Sequence, residues 1–351
     1  MDLNLLDKYS EVDNENFYLE IESLPKQIKD TWAKAKNFIV SPGFIKVNKV
    51  LICGMGGSGM VGHILKEFSK NQTKIPFFVH QDYQIPKYVD DKTLVIAISH
   101  SGNTEETLDA VKSALDQNGK VIAISTGGEL EKMSTKYKFP IFLYLAAGET
   151  RTNIGNLLVA ALGILKKIGI MRDIVDNDID EVVVHLDNWL KKINKDVPQS
   201  NNFAKDIANY LFNKTPVIWG AYPLQSIATR WKNDFSENSK TISYCEAIPE
   251  LNHNSTSGLH FPESKNIFVI ILQSKYIHPR NLKRIKISQN ILEDNNIPYK
   301  IIQLEPTGHI LSEILCYVLL GEFVSYYLAI LHDQNPKEIP EVDFIKEKLN
   351  H

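Results

Sequence analysis

Short runs of consecutive apolar residues, each followed by a helix-length segment, constrain this chain more than any other feature. Val50-Leu51-Ile52-Cys53, Pro76-Phe77-Phe78-Val79, Leu94-Val95-Ile96-Ala97-Ile98, Val121-Ile122-Ala123-Ile124 and Ile141-Phe142-Leu143-Tyr144 are continuous rather than alternating. A strand apolar on both sides must be covered on both faces, which predicts a parallel sheet between helical layers. Between the runs, residues 104–117 place Leu108, Val111 and Leu115 on one helical stripe that stops at Asn118-Gly119, the residue types that end helices. A polar stretch over 171–180 precedes a second alternation. There Val217-Ile218-Trp219 and Ile267-Phe268-Val269-Ile270-Ile271-Leu272 read as strands, and 281–292 and 311–331 as helices. The expected fold is therefore α/β, with two domains over 41–170 and 171–351, each a mainly parallel sheet flanked by helices in a three-layer sandwich. Residues 1–40, with Phe17, Leu19, Ile21 and Ile28 at helical spacing, are expected to form a helical extension on the first domain.

Composition narrows the partners. The chain has 351 residues, 43% hydrophobic and 23% charged, and a net charge of −3, which suits two buried cores and argues against a nucleic-acid-binding surface. Cys53, Cys245 and Cys316 lie far apart and are odd in number, so neither a disulfide framework nor a zinc ribbon is indicated. The start, Met1-Asp2-Leu3-Asn4-Leu5-Leu6-Asp7-Lys8, is acidic where a signal peptide is basic. Glu313 and Glu322 interrupt the longest apolar tract, 310–331, which reads as a core or interface helix rather than a membrane span. A soluble, cytoplasmic protein is expected, with no membrane partner.

Two loops carry chemistry. The run ending at Cys53 enters Gly54-Met55-Gly56-Gly57-Ser58-Gly59 and then a helical pattern near Met60. Glycines admit close backbone approach, and helix-start N–H groups with the Ser58 hydroxyl suit a phosphate. Read literally, Gly54, Gly56 and Gly59 also satisfy the GxGxxG dinucleotide pattern, with Asp82 as a ribose partner, and a ligand-free tight turn is a third reading. The second loop, Ser99-His100-Ser101-Gly102-Asn103-Thr104-Glu105-Glu106-Thr107, brings several hydroxyls and another helix start to the end of the next apolar run. Asn103 and Glu106 have the spacing of a capping box. A dinucleotide fold has no use for this second hydroxyl-rich loop, whereas a phosphate monoester held between two strand ends does.

The two loops together resemble the sugar-isomerase (SIS) domain, a superfamily of isomerases, aminosugar synthases and sugar-sensing regulators. Further on, Arg230-Trp231-Lys232-Asn233, Glu237-Asn238-Ser239-Lys240, Glu250-Leu251-Asn252-His253-Asn254 and Asp343-Phe344-Ile345-Lys346 make nearly the whole chain similar to the bifunctional phosphoglucose/phosphomannose isomerases. That resemblance implies interconversion of glucose 6-phosphate and fructose 6-phosphate, extending to mannose 6-phosphate, with no cofactor and no metal. It assigns Gly57, Ser58, Ser99, Ser101 and Thr104 to the phosphate. Glu237 would be the base moving a proton between C1 and C2, His253 would assist ring opening, Arg151 would face the enediolate, and Lys346 would lie by the ring oxygen. It also implies a homodimer in which His253 reaches the partner subunit's site. Glu250, three residues before His253, is an alternative base ranked below Glu237.

The remaining readings are blander. His63, His80, His185, His260, His278, His309, His332 and His351 show no HxH or HExxH spacing and read as structural, and His100 receives no catalytic role. A noncatalytic sugar-phosphate sensor would carry a partner-binding module, which the N-terminal segment does not suggest, and a nicotinamide oxidoreductase is the third alternative. The segment 335–340 lacks the threonine that the family carries before its terminal helix, a residue linked to accommodating the mannose epimer, so the resemblance implies glucose activity more directly than mannose activity.

Overall fold

The computed structural model describes residues 3–146, 148–263, 266–305 and 307–349. The chain divides into two compact units, Ser23–Val184 and the pair of segments Met1–Glu22 and His185–His351. Helices α1 (Leu6–Val12) and α2 (Phe17–Glu22) thus belong with the C-terminal half, and α3 (Leu24–Ala35) opens the other unit. This differs from the single extension expected over 1–40: its first part packs with the second unit. The change between units falls inside a helix, at Val184 and His185, and not in the polar stretch before it.

In the first unit β1 (Lys49–Cys53), β2 (Phe77–His80), β3 (Thr93–Ser99), β4 (Lys120–Ser125) and β5 (Ile141–Leu143) form a wholly parallel five-stranded sheet in the order β2-β1-β3-β4-β5. All of β3 is buried, as its unbroken apolar sequence requires. The crossovers are α4 (Gly56–Ser69), α5 (Glu105–Asp116) and α6 (Gly128–Tyr137), and the sheet is followed by α7 (Ile154–Ile168). The Leu108, Val111 and Leu115 stripe of α5 packs on Leu51, Val95 and Val121 of the sheet. Val111 is fully buried, a burial that contributes roughly 1.5–3 kcal/mol. Helix α5 ends where expected: Asn118 takes φ +61°, and Gly119 N–H reaches back to the Ala114 carbonyl at 2.7 Å.

Helix α8 (Asp176–Ile193) spans the change of unit, and α9 (Phe203–Leu211) follows. The second unit holds β6 (Thr215–Ala221), α10 (Gln225–Asn238), β7 (Tyr244–Ile248), β8 (Ile267–Leu272), α11 (Pro279–Asp294), β9 (Tyr299–Ile302), α12 (Ile310–His332) and α13 (Pro340–Leu349). Its four strands are parallel in the order β7-β6-β8-β9. The central strands β6 and β8 are the two legible as apolar runs. The edges β7 and β9 are half exposed and carry Glu246 and Lys300, so no continuous run marks them. Helix α12 is long and apolar enough to cross a membrane, yet it is buried within its unit, against α9, α10, α2 and α1. Its two carboxylates are both engaged: Glu313 accepts from the Ser274 hydroxyl at 2.6 Å and Lys275 N–H at 3.0 Å, and Glu322 accepts from Arg230 at 2.9 Å.

One buried cation holds the N-terminal segment to this unit. Lys205 of α9 is 1% exposed; its Nζ donates to the carbonyls of Leu3 (3.0 Å), Lys195 (2.7 Å) and Val197 (2.9 Å) and lies 5.5 and 5.4 Å from the ring centres of Tyr9 and Tyr327. Taking the ammonium away strips this donor from the Lys195 and Val197 carbonyls, while the Leu3 carbonyl still accepts from Tyr9 Oη at 2.9 Å. Lys205→Met should therefore lower stability by about 2–4 kcal/mol, because buried acceptors that lose a charged donor bear the full desolvation cost; the urea midpoint measures it, and an unchanged midpoint would refute the clamp.

Candidate active site

Parallel pairing of Cys53 with Ala97 brings the ends of β1 and β3 to one edge of the first sheet, so the two hydroxyl-bearing loops are neighbours. Glycine sets how closely they approach. A Cβ on Gly54 would fall 2.7 Å from the Ile98 carbonyl oxygen, and one on Gly102, at φ +71°, would fall 1.8 Å from that of Gly127. No side chain caps the start of α4 or α5, so their first N–H groups face outward from that edge, an arrangement suited to an anion.

The hydroxyls divide into two kinds. Ser58 and Ser99 are 3% and 1% exposed, whereas Ser101 is exposed and Thr104 half-buried. Ser99 Oγ accepts from Gly102 N–H at 3.1 Å and lies 2.9 Å from Thr104 Oγ1, and Ser101 Oγ accepts from Asn103 N–H at 3.2 Å. The expected capping box does not form. Thr104 occupies the N-cap of α5, and the Asn103 carboxamide accepts instead from Glu129 N–H of α6 at 3.0 Å, because the left-handed turn at Gly102 directs Asn103 toward the next loop. That loop, Thr126-Gly127-Gly128, is a site element the motif reading missed: Thr126 Oγ1 donates to the His100 carbonyl at 2.7 Å, and Ser125 Oγ to that of Gly127 at 3.0 Å. Its signal was in the sequence, a third strand running into paired glycines and a helix. His100 itself meets Tyr144 Oη at 2.7 Å, in keeping with a structural role.

Arg151 is brought to the glycine loop. It is 2% exposed in the 3₁₀ helix Thr150–Asn153, whose backbone lies against Gly57: a Cβ there would stand 3.2 Å from Arg151 Cα and from the Thr150 carbonyl oxygen. Glu149 lies 3.7 Å from the guanidinium. Helix α3 braces this turn, Gln27 Nε2 donating to the Thr152 carbonyl at 2.7 Å and Thr31 Oγ1 to Asn156 Oδ1 at 2.7 Å.

Glu237, His253 and Lys346 belong to the other unit. Glu237 is half-buried in the last turn of α10. His253 is exposed at the end of the 3₁₀ helix Glu250–His253 that follows β7, with Glu250 accepting from Asn254 Nδ2 at 2.9 Å. Lys346 is exposed on α13, 3.3 Å from Asp343. Helix α10 runs antiparallel to β7: Gln225 Nε2 donates to the Ile248 carbonyl at 3.0 Å, Thr229 meets Cys245 at 3.7 Å, and Ser243 Oγ donates to the Lys232 carbonyl at 2.9 Å. Glu237 and His253 therefore occupy opposite ends of this strand–helix pair. The helix rise from Gln225 to Glu237 alone separates those ends by about 18 Å, so one copy of the unit does not bring the two side chains together.

Beneath Glu237, one buried charge cluster escaped the motif reading. Arg230 Nε lies 3.0 Å from Asp234 Oδ2 and Nη2 lies 2.9 Å from Glu322 Oε1, all three residues being 1% exposed. Burial pushes the Glu322 carboxyl up to about 8, Asp234 adding to the rise and Arg230 opposing it. Arg230 thus faces the carboxyl groups of Asp234 and Glu322, with Glu237 also adding to its positive-charge stabilisation.

These features define a SIS-domain protein, and the comparisons agree. Residues 43–141 match the SIS domain family and residues 200–349 the family described as bacterial phospho-glucose isomerase C-terminal SIS domain. The solved C-terminal domain of glucosamine-fructose-6-phosphate aminotransferase from Francisella tularensis shares the fold, with a TM-score of 0.68 at 17% identity over 91% of this chain and 97% of that one. The bifunctional phosphoglucose/phosphomannose isomerase of Caldicellulosiruptor bescii is 34% identical over 94% of this chain and 97% of its own, and that of Thermoplasma volcanium 33% identical over 92% and 97%. The chain belongs to the bifunctional phosphoglucose/phosphomannose isomerase family.

The charge cluster gives a stability test. Because the folded-state pKa of Glu322 lies above the ordinary 4.5, its contribution is complete below that value and is lost as pH rises toward about 8. Glu322→Gln, neutral at every pH, should gain thermal stability relative to the parent from pH 5 to 8 and show no such gain below pH 4.5. A melting-temperature difference that stays flat across this range would show Glu322 to be ionised in the folded protein.

Proposed function

We propose that the chain is an aldose–ketose isomerase that interconverts glucose 6-phosphate and fructose 6-phosphate, and mannose 6-phosphate as the C2 epimer, by ring opening and proton transfer through an enediolate. The observation that carries this reading is the seating of the Arg151 turn on Gly57, which brings the buried residue that the family motif assigns to the enediolate to the loop that it assigns to the phosphate. In the role the family motif gives it, Arg151 offers a fixed positive charge to the carbonyl end of the sugar, and such charge favours the enediolate over either neutral sugar.

The roles follow from the family motifs. Uncapped N–H groups of α4 and α5, with Ser101 and Thr104 at the surface and Ser58 and Ser99 behind them, hold the phosphate. His253 assists transfer of the anomeric hydroxyl proton to the ring oxygen, where Lys346 supplies positive charge. Glu237 then removes the proton from C2 of the aldose and returns it to C1, while the hydroxyl proton passes between O1 and O2. Glu237 and His253 lie at opposite ends of one strand–helix pair, which supports a homodimer whose site combines Glu237 of one protomer with the histidine of its partner.

A coupled assay on glucose 6-phosphate and on mannose 6-phosphate in EDTA should show turnover of both, and turnover of neither would refute the reading. Glu237→Gln should abolish exchange of the C2 proton of fructose 6-phosphate with solvent while affinity for the sugar phosphate stays within about threefold. Mixing inactive Glu237→Gln with inactive His253→Ala, followed by subunit exchange, should restore about a quarter of the parental activity, since half the dimers are mixed and each of those has one intact site. No recovery after demonstrated exchange would place His253 in its own protomer's site. Gly102→Ala should raise the KM for every substrate at least tenfold by forcing the loop off Gly127.

A further inference from the structure

The last turn of α10 is fastened more heavily than a helix end requires. Lys240 folds back over it, and its Nζ donates to the carbonyls of Glu237 at 3.0 Å, of Asn238 at 3.3 Å and of Asn335, beyond the end of α12. Asn238 Nδ2 donates to Ser325 Oγ of α12 at 2.9 Å, and buried Ser239 Oγ donates to the Phe235 carbonyl at 2.7 Å. Glu237 thus adjoins a residue tied to α12, and its own carbonyl is held by a cation tied to the backbone past α12. Two of the carbonyls Lys240 takes are those a helix leaves unpaired at its C-terminus, where a cation also meets the negative end of the macrodipole.

The backbone at Lys240 sharpens the point. It has φ +51°, a left-handed conformation that glycine adopts freely and that a residue with a Cβ resists. A lysine here contributes what glycine would lack, the ammonium that joins three carbonyls.

We propose that Lys240 is a positioning residue for proton transfer by Glu237: by locking the final turn of α10 to the segment after α12, it fixes the direction from which the Glu237 carboxylate meets the sugar carbons. This rests on the assignment of Glu237 as the base. It concerns the chemical step and not phosphate capture, because the phosphate-binding loops lie in the other unit.

Three variants test it. Lys240→Gly keeps the left-handed backbone without strain and removes the ammonium, so it should fold with an ordinary circular dichroism spectrum; Lys240→Met keeps the alkyl stem. Both should lower kcat on fructose 6-phosphate about 10- to 100-fold, the scale of a misplacement near 1 Å, with KM within about threefold and C2 proton exchange slowed in parallel. Lys240→Arg, which again offers several donors, should recover most of kcat. A folded Lys240→Gly with parental kcat, beside an inactive Glu237→Gln, would overturn this inference alone. A fall in activity matched by a fall in folded fraction, with kcat per folded molecule unchanged, would reduce Lys240 to a stability cap and also overturn it. Retained exchange in Glu237→Gln would remove both this inference and the assignment on which it rests.

Discussion

Arg230, buried between Asp234 and Glu322, joins the helix that carries Glu237 to the helix at the centre of its unit, and the placement of the candidate base depends on that junction. An unpaired guanidinium at such depth would be strongly destabilising. The Asp234 and Glu322 carboxyl groups compensate it, and burial raises the Glu322 pKa. Helix α12 can then be apolar on every side and still receive α10 in a single register, because only one height along it offers Glu322 to the guanidinium and Ser325 to Asn238.

The other unit solves a different problem with glycine. Three parallel strands end at one edge of its sheet, and backbone from three loops has to crowd there. Gly54, Gly57 and Gly102 stand where a Cβ would meet a carbonyl oxygen or the backbone of the Arg151 turn. The serines that a motif reading assigns wholly to ligand work also organise the loop, Ser99 through Gly102 N–H and Ser101 through Asn103 N–H.

Topology separates Glu237 from His253 within the unit. In a parallel strand–helix–strand unit the helix returns to the edge where the next strand begins, so a base at a helix C-terminus and an imidazole after the following strand are held apart by the length of that strand. The hydrogen bonds along α10 and β7 run in that sense.

By itself the sequence determined the strands buried on both faces, the helix stripe of Leu108, Val111 and Leu115, the cap at Asn118, the two hydroxyl loops and the family. These depend on local composition and period, which are written residue by residue. Only the tertiary structure decided the rest. The edges β7 and β9 carry Glu246 and Lys300, because an edge strand needs no continuous apolar run. The N-terminal helices divide between units, because which apolar surface Tyr9 and Phe17 meet is set by α12 and not by their neighbours in sequence. Asn103 turned away from its own helix to bond α6, Arg151 came to rest on Gly57, and Lys240 closed over the carbonyl of Glu237. Each of these is a contact between segments distant in the chain or a backbone turn forced by one, and pattern along a chain carries no distance between such segments.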